Sequence, residues 1–318
     1  MKKFFFLIKL SLDSIRDTKK IIKYFNLINL NGYGIILKFF VIRFFYSIES
    51  IRSKQKILLT NKIEKNFFLT EERFDVDKIS KEIDNRGYSE ILKIQDSFIE
   101  NFKNHIFQSK NIDVKIEGIE KSKILKSEKE AISDYFLRLK KLKVSRLTGT
   151  INLNENSLLK DFLLSDSLVN LAKSYLNTKD FSINASFFIS NPLQIPKKEK
   201  YKNAQYFHWD NDFKKFFKLY IYLNDVDESN GPHIFIPRTH KKKLPDHKLC
   251  RLYSDSDIYS SYEESKKFIG KAGTLFFADS YGIHKGEAPQ LNSRLLLNVH
   301  FGKGKILYNK DDLYFNEE

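Results

Sequence analysis

Cysteine is all but missing: Cys250 stands alone among 318 residues. A single thiol cannot close an intramolecular disulfide and no cysteine-based zinc pattern can be written. A reducing intracellular compartment is therefore expected, and any metal has to be held by histidine and carboxylate. Histidine is itself scarce, with 7 in the chain. No apolar run reaches the ~20 residues that a membrane-spanning helix needs. The most apolar stretch, IILKFFVIRFFY from Ile35 to Tyr46, is 12 residues long and carries Lys38 and Arg43. The opening MKKFFFLIKLSLDSIRD begins like a signal peptide, but Lys9 breaks its apolar run and no small-residue cleavage site follows, so export is not expected. Internal repeats, low-complexity tracts and Gly/Ser linkers are also absent, which argues for one integrated unit.

What is present is enough for a sizeable core: 42% of residues are hydrophobic and 14% aromatic. The net charge is +15, and residues 1–66 hold 14 Lys/Arg against 4 Asp/Glu, so +10 of it sits in the first fifth of the chain. A basic segment suits nucleic acid or an anionic membrane surface. Its charges are interleaved with FFFLI and FFVIRFFY, and no RNA-binding or helix-turn-helix signature accompanies them, so nucleic acid is not the expected partner. Residues 1–66 are read as a basic, aromatic-rich helical extension. Packing on the body of the protein is favoured, because apolar helix stripes more often face a core. Peripheral contact with the inner face of a membrane is the alternative for a protein otherwise placed in the cytoplasm.

Helical periodicity dominates up to about residue 178, as in DVDKISKEIDNRGYSEILKIQDSFIENFKNHIF, EKEAISDYFLRLKKLKV and NENSLLKDFLLSDSLVNLAKSYL. Beyond Thr178 the texture becomes short alternating or continuous apolar runs, among them FSINASFFIS, FKLYIYLNDV, GTLFFAD and RLLLNVHFG, separated by NP, ESNGP, KAG and SYG. The fold class is therefore α+β: a β-sandwich or barrel in the C-terminal half, with helices of the N-terminal half packed against it. A main domain over residues 67–318 is expected, with a helical part at 67–178 and a β-barrel core at 179–304. Two polar loops, at residues 196–202 and 254–267, read as solvated connections that could serve as lids if a site lies at the rim.

One short stretch offers chemistry. In YFHWDND, His208 and Asp210 are two apart, and in a strand both project from one face while Trp209 turns away. That is how two metal ligands are offered at once. A facial metal site needs two histidines and one carboxylate with the opposite positions open. The third ligand has to come from another strand, from among His233, His240, His247, His284 and His300. His284 is best placed, because the Ser-Tyr-Gly turn after GTLFFAD returns the chain to the rim. Ten residues on, Arg294 opens another strand, and an arginine inside a barrel needs an anion that its planar fork can grip.

His208-x-Asp210, His284 and Arg294, joined by YIYLNDVDESNGPHIFIPRTHK, together resemble the phytanoyl-CoA dioxygenase family of iron(II)/2-oxoglutarate-dependent dioxygenases. The segment Asn230-Gly231-Pro232 to Ile236-Pro237-Arg238-Thr239-His240 is similar to that family's Asn-Gly…Pro-Gly-Ser-His segment, with Arg-Thr in place of Gly-Ser. The resemblance runs from about Phe181 to Gly302, with RGYSEILKI as a lead-in, and leaves residues 1–66 uncovered. It implies a double-stranded β-helix, a jelly-roll or cupin-like barrel whose mouth holds Fe(II) on His208, Asp210 and His284. Arg294 would bind the distal carboxylate of 2-oxoglutarate, with O2 as second cosubstrate. Tyr220 falls where the family often has an aromatic residue near the cosubstrate, although it could equally be core. Gly286 stands where a hydroxyl residue is common, so that contact would be lost. Asn298 and His300 share the strand parity of Arg294, whereas His233, His240 and His247 read as structural or solvated.

The activity implied is hydroxylation of an unactivated C–H bond in a small-molecule, lipid or carrier-linked substrate, because Asp210 fills the position that related halogenases vacate for chloride. No obligate protein partner is implied. Two other readings stay open: a catalytically silent barrel acting as a binding or membrane-associated protein, and a cupin-type metal protein that would not need Arg294.

Overall fold

Strand β6, Phe216–Tyr222, is buried along its whole length, and the reason organises the protein. The structure, a computed structural model, describes residues 67–68, 74–109, 113–118, 131–134, 144–195, 200, 203–210, 215–244, 247, 252–303 and 313–316. The readings made for residues 1–66 lie outside the described residues.

Phe217, Leu219 and Ile221 of β6 point to one face, where they join a large apolar cluster with Ile83, Phe102 and Phe162 of the helical part. Tyr220 and Tyr222 point to the other, where they meet Phe235, Phe268 and Phe276. A strand covered on both faces has to be apolar almost throughout, which is why FFKLYIY reads as a continuous run. Each large side chain so buried contributes about 1.5–3 kcal/mol.

β6 lies inside an eight-stranded antiparallel sheet ordered β1-β10-β6-β12-β4-β3-β2, with β13 also pairing β4. These strands are β1 (Leu92–Lys93), β2 (Asp113–Gly118), β3 (Val144–Ile151), β4 (Asp180–Ser190), β10 (Thr274–Ala278), β12 (Arg294–Gly302) and β13 (Leu313–Asn316). A second antiparallel sheet has the order β8-β5-β11-β7-β9. It comprises β5 (Phe207–His208), β7 (His233–Phe235), β8 (Leu252–Tyr253), β9 (Lys266–Phe268) and β11 (His284–Gly286). The two sheets face each other: Phe268 of β9 stacks on Phe276 of β10 at 3.8 Å, and His233 of β7 lies 4.6 Å from the Tyr220 ring.

The helices cover the outer face of the larger sheet. Helix α1, Val76–Arg86, starts at Asp75, whose side chain accepts from the Lys78 N–H, and stops at Gly87 with φ 92°. Glycine is required at 87 twice over, since a Cβ there would also stand 2.7 Å from the Phe235 ring. Helix α2 spans Asp96–Gln108. NENSLLKDFLLSDSLVNLAKSYL forms two helices, α3 (Ser157–Leu163) capped by Asn156 and α4 (Asp166–Leu176) ending at left-handed Asn177.

The α+β reading and the antiparallel strands stand, but the expectation of helix throughout 67–178 needs correction. That part also supplies β1, β2 and β3, and β3 pairs with β4 along six residues. In VSRLTGTI the alternation is carried by Ser, Thr and Gly, too weak a signal beside strong helical neighbours. Of EKEAISDYFLRLKKLKV, residues 128–130 and 135–143 lie outside the described residues, and Val144 already begins β3. Among the described residues no helix is long and apolar enough to cross a membrane.

Candidate metal and cosubstrate site

His208 and His284 are direct cross-strand partners in the smaller sheet. Paired residues project to one face, so the rings lie 4.4 Å apart between centroids. Asp210 follows with the same parity, and its N–H donates to the Ser280 carbonyl at 2.8 Å. One ligating atom from each of His208, Asp210 and His284 can be chosen so that all lie within 4.8 Å of one another.

The orientation of each imidazole is set by backbone. Nδ1–H of His208 donates to the Tyr206 carbonyl at 2.8 Å, and Nδ1–H of His284 to the Gly282 carbonyl at 2.9 Å. A carbonyl can only accept, so both Nδ1 atoms carry the proton and both Nε2 atoms present a lone pair. Those Nε2 atoms lie 3.9 Å and 3.6 Å from the two oxygens of Asp210. Burial first, then the neighbouring His208, pushes the His284 pKa down to about 3, with Asp210 acting in the opposite sense. The imidazole is thus neutral and able to ligate at physiological pH.

The turn carrying His284 is pinned from two sides. Thr239 accepts from the Ile283 N–H at 2.8 Å and donates to the Ile236 carbonyl at 2.7 Å. Arg238 adopts φ 65° in that segment, a conformation more readily taken by glycine. Buried Asp279 accepts from the Tyr281 N–H at 3.0 Å and from the Tyr175 hydroxyl of α4 at 2.7 Å. His240 donates from Nε2 to the Asp84 carbonyl at 2.8 Å, and His247 contacts the Tyr262 hydroxyl, so both are structural as expected.

A cavity of about 200 Å³ opens on these three side chains. Arg294 and Tyr220, both foreseen, line it, as does Asn298. Arg294 is buried, and its Nε and Nη1 atoms have no hydrogen-bond partner among the described residues. An unneutralised buried guanidinium is costly unless an anion meets it. Tyr222, by contrast, is core: its hydroxyl donates to the Phe268 carbonyl at 2.8 Å and accepts from the His233 N–H, and burial pushes its pKa up to about 12.

Three cavity residues escaped sequence reading. His233, read as structural or solvated, begins β7 and forms part of the wall. Lys218 of β6 pairs with the Asp210 carboxylate; the available signal was a lysine with the inward parity of Tyr220. Arg146 lines the far side with its guanidinium 4.0 Å above the Phe188 ring, on a strand that was read as helix. His300 is buried opposite Lys218 in the sheet register and is not part of the cavity wall.

The loop at 254–267 places none of its residues on the cavity wall. It contains helix α5 (Asp255–Ser261), which is tied through Asp255 to Lys285 at 2.8 Å, on the face of β11 opposite His284. Most of the loop at 196–202 lies outside the described residues; Asn203 and Ala204, just after it, line the cavity.

Two facing antiparallel sheets with a His-Asp-His cluster and a buried cation in one cavity define a non-haem metal oxygenase class of site. The chain belongs to the phytanoyl-CoA dioxygenase family (PhyH), which matches residues 117–290. That membership and the donor set together make it an iron- and 2-oxoglutarate-dependent enzyme. Among solved structures it is similar to the non-heme alpha ketoglutarate dependent epimerase SnoN from nogalamycin biosynthesis, at 11% identity and TM-score 0.50, over 71% of this chain and 80% of that one. It is also similar to HygX from Streptomyces hygroscopicus with nickel and 2-oxoglutarate bound, at 12% identity and TM-score 0.48, over 76% and 89%. At these identities the likeness to SnoN is one of fold. No curated protein matches the chain.

Proposed function

We propose that the protein is a hydroxylase of an unactivated C–H bond in a small-molecule, lipid or carrier-linked substrate. In this reading residues 67–318 form the oxygenase domain, the two facing sheets are a double-stranded β-helix, and residues 1–66 are an extension. The observation that supports it most is the convergence of the paired His208 and His284, Asp210 and the unneutralised Arg294 on one cavity.

Each residue has a role. His208 and His284 offer Nε2 lone pairs and Asp210 a carboxylate, on one side of a metal position whose other side faces the cavity. Iron(II) with 2-oxoglutarate and O2, when bound, supplies the oxidising chemistry, giving succinate, carbon dioxide and a hydroxylated product. Arg294 orients the cosubstrate by its distal carboxylate, and Tyr220 packs beside it. Lys218 pairs with the Asp210 carboxylate and offsets its charge while no metal is bound. The apolar walls behind Tyr220 and Leu296 exclude water from the reacting end.

The test is anaerobic. Fe(II) followed by 2-oxoglutarate should produce a weak visible charge-transfer band that is reduced in Arg294→Ala. Iron binding without a band in the wild type would favour a cupin-type site or a silent barrel. For the extension, we infer either packing on the domain or contact with an anionic membrane face. Flotation of the full chain with anionic vesicles, against a protein lacking residues 1–66, separates these.

A further inference from the structure

His233 and Arg294 come from opposite sheets and line the same cavity, each beside Gly286. His233 pairs in register with Gly286, two residues beyond His284 in β11. A Cβ built on Gly286 would stand 2.6 Å from an Nη atom of Arg294, so the guanidinium rests over the glycine beside His233. The His233 ring is 4% exposed and lies between Tyr220, at 4.6 Å, and His284, at 5.3 Å. Among the described residues its Nε2 has no hydrogen-bond partner, and neither do Nε and Nη1 of Arg294.

Buried polar atoms are nearly always satisfied, so three orphans in one corner mark the place of an absent ligand with several acceptor atoms. An imidazole can present Nε2–H, and the guanidinium presents only donors. The complement of that set is an anion with more than one oxygen, and it excludes an apolar group or a cation.

We propose that His233 and Arg294 form a two-sided cradle for the distal carboxylate of 2-oxoglutarate. The inference rests on the cosubstrate reading above and adds a second anchoring residue to it. Arg294 neutralises the carboxylate along one edge, and His233 Nε2–H donates to it from the facing sheet. The cradle makes the site selective for a 2-oxo dicarboxylic acid over a 2-oxo monocarboxylic acid, because only the former satisfies both residues.

The experiment uses the full chain loaded anaerobically with Fe(II). Kd values for 2-oxoglutarate and for 2-oxobutyrate, which lacks the distal carboxylate, are measured from the visible band and by calorimetry for wild type, His233→Leu and His233→Gln. His233→Leu should bind 2-oxoglutarate at least ~10-fold more weakly, as expected on removing a hydrogen bond to a charged group. 2-Oxobutyrate binding and Fe(II) affinity should be unchanged, and His233→Gln, which keeps a donor, should recover part of the loss. Unchanged 2-oxoglutarate binding in His233→Leu overturns the cradle, and so does an equal loss for both acids, which would mean a purely structural histidine. If the wild type itself binds no 2-oxoglutarate, the cosubstrate reading fails first and the cradle with it.

Discussion

Gly286 and Arg294 occupy what is almost a single site: a Cβ on the glycine would lie 2.6 Å from the arginine's Nη atom. The guanidinium is the mobile end of a long side chain, so a substituent at 286 displaces it at little cost to the fold. Gly286→Val should therefore leave the melting temperature within a few degrees while raising the Kd for 2-oxoglutarate roughly tenfold, the effect of losing a charge-assisted hydrogen bond. Calorimetry on the metal-loaded protein checks this; an unchanged Kd would show that the guanidinium position is not what binds.

Lys218 competes with any metal for Asp210, since its ammonium pairs with that carboxylate inside the cavity. Lys218→Met removes the competitor and a like charge beside the metal, so the Kd for Mn(II) should fall, about tenfold for each 1.4 kcal/mol of repulsion removed. In the metal-free state the same change leaves a buried carboxylate without its counter-charge and should cost about 3 kcal/mol of stability. Opposite shifts in metal affinity and in apo stability are the signature to look for. Weaker Mn(II) binding would mean that Lys218 matters mainly by orienting Asp210.

Acid should destabilise the metal-free protein early. Burial is the first cause holding the pKa values of His233, His240, His284 and His300 below the usual imidazole value, that of His284 at about 3. The unfolded chain takes up protons near pH 6.5 that the folded chain refuses. Their contribution is therefore intact above that pH and is lost as pH falls toward the folded values, at up to about 1.4 kcal/mol per pH unit per histidine. Asp279, whose pKa burial raises, works in the opposite sense: the stability it favours is present at low pH and lost as pH rises through its folded value. Four groups outweigh one, so urea midpoints should drop between pH 6.5 and 5; a flat profile over that window contradicts the buried neutral histidines.

Tyr175 reaches the site only through Asp279, by a 2.7 Å hydrogen bond from helix α4 to the turn that leads to His284. Tyr175→Phe leaves a buried carboxylate oxygen short of a donor and should cost about 1–3 kcal/mol. Because the turn then loosens, Fe(II) affinity should fall as well. Loss of stability with unchanged metal affinity would confine Tyr175 to packing.

The His-Asp-His cluster was legible because it obeys local rules. His208-x-Asp210 is a two-residue period read within one strand, and His284 follows a turn written in Ser, Tyr and Gly. Arg294 declared itself as a charge opening an apolar strand. Tyr220 and Tyr222 look alike in the sequence, and their different fates depend on what the facing sheet brings to each: His233 and the cavity for one, the Phe268 carbonyl for the other.

The residues that were missed share a cause. Lys218, His233 and Arg146 gain their meaning from partners 8 to 148 residues away, as in Lys218 with Asp210 or Arg146 beside Ser190 and Arg294 across three strands. β3 itself was hidden because its alternation lacks large apolar residues, and its pairing with β4 stabilises it where local propensity does not. The sequence by itself determined the strand and helix periods, the absence of cysteine chemistry and the donors on offer, since each depends on residues a few positions apart. Only the tertiary structure decided which donors share a cavity and which cation pairs with the carboxylate. Those outcomes follow from strand register and burial, which join distant segments that no local pattern encodes.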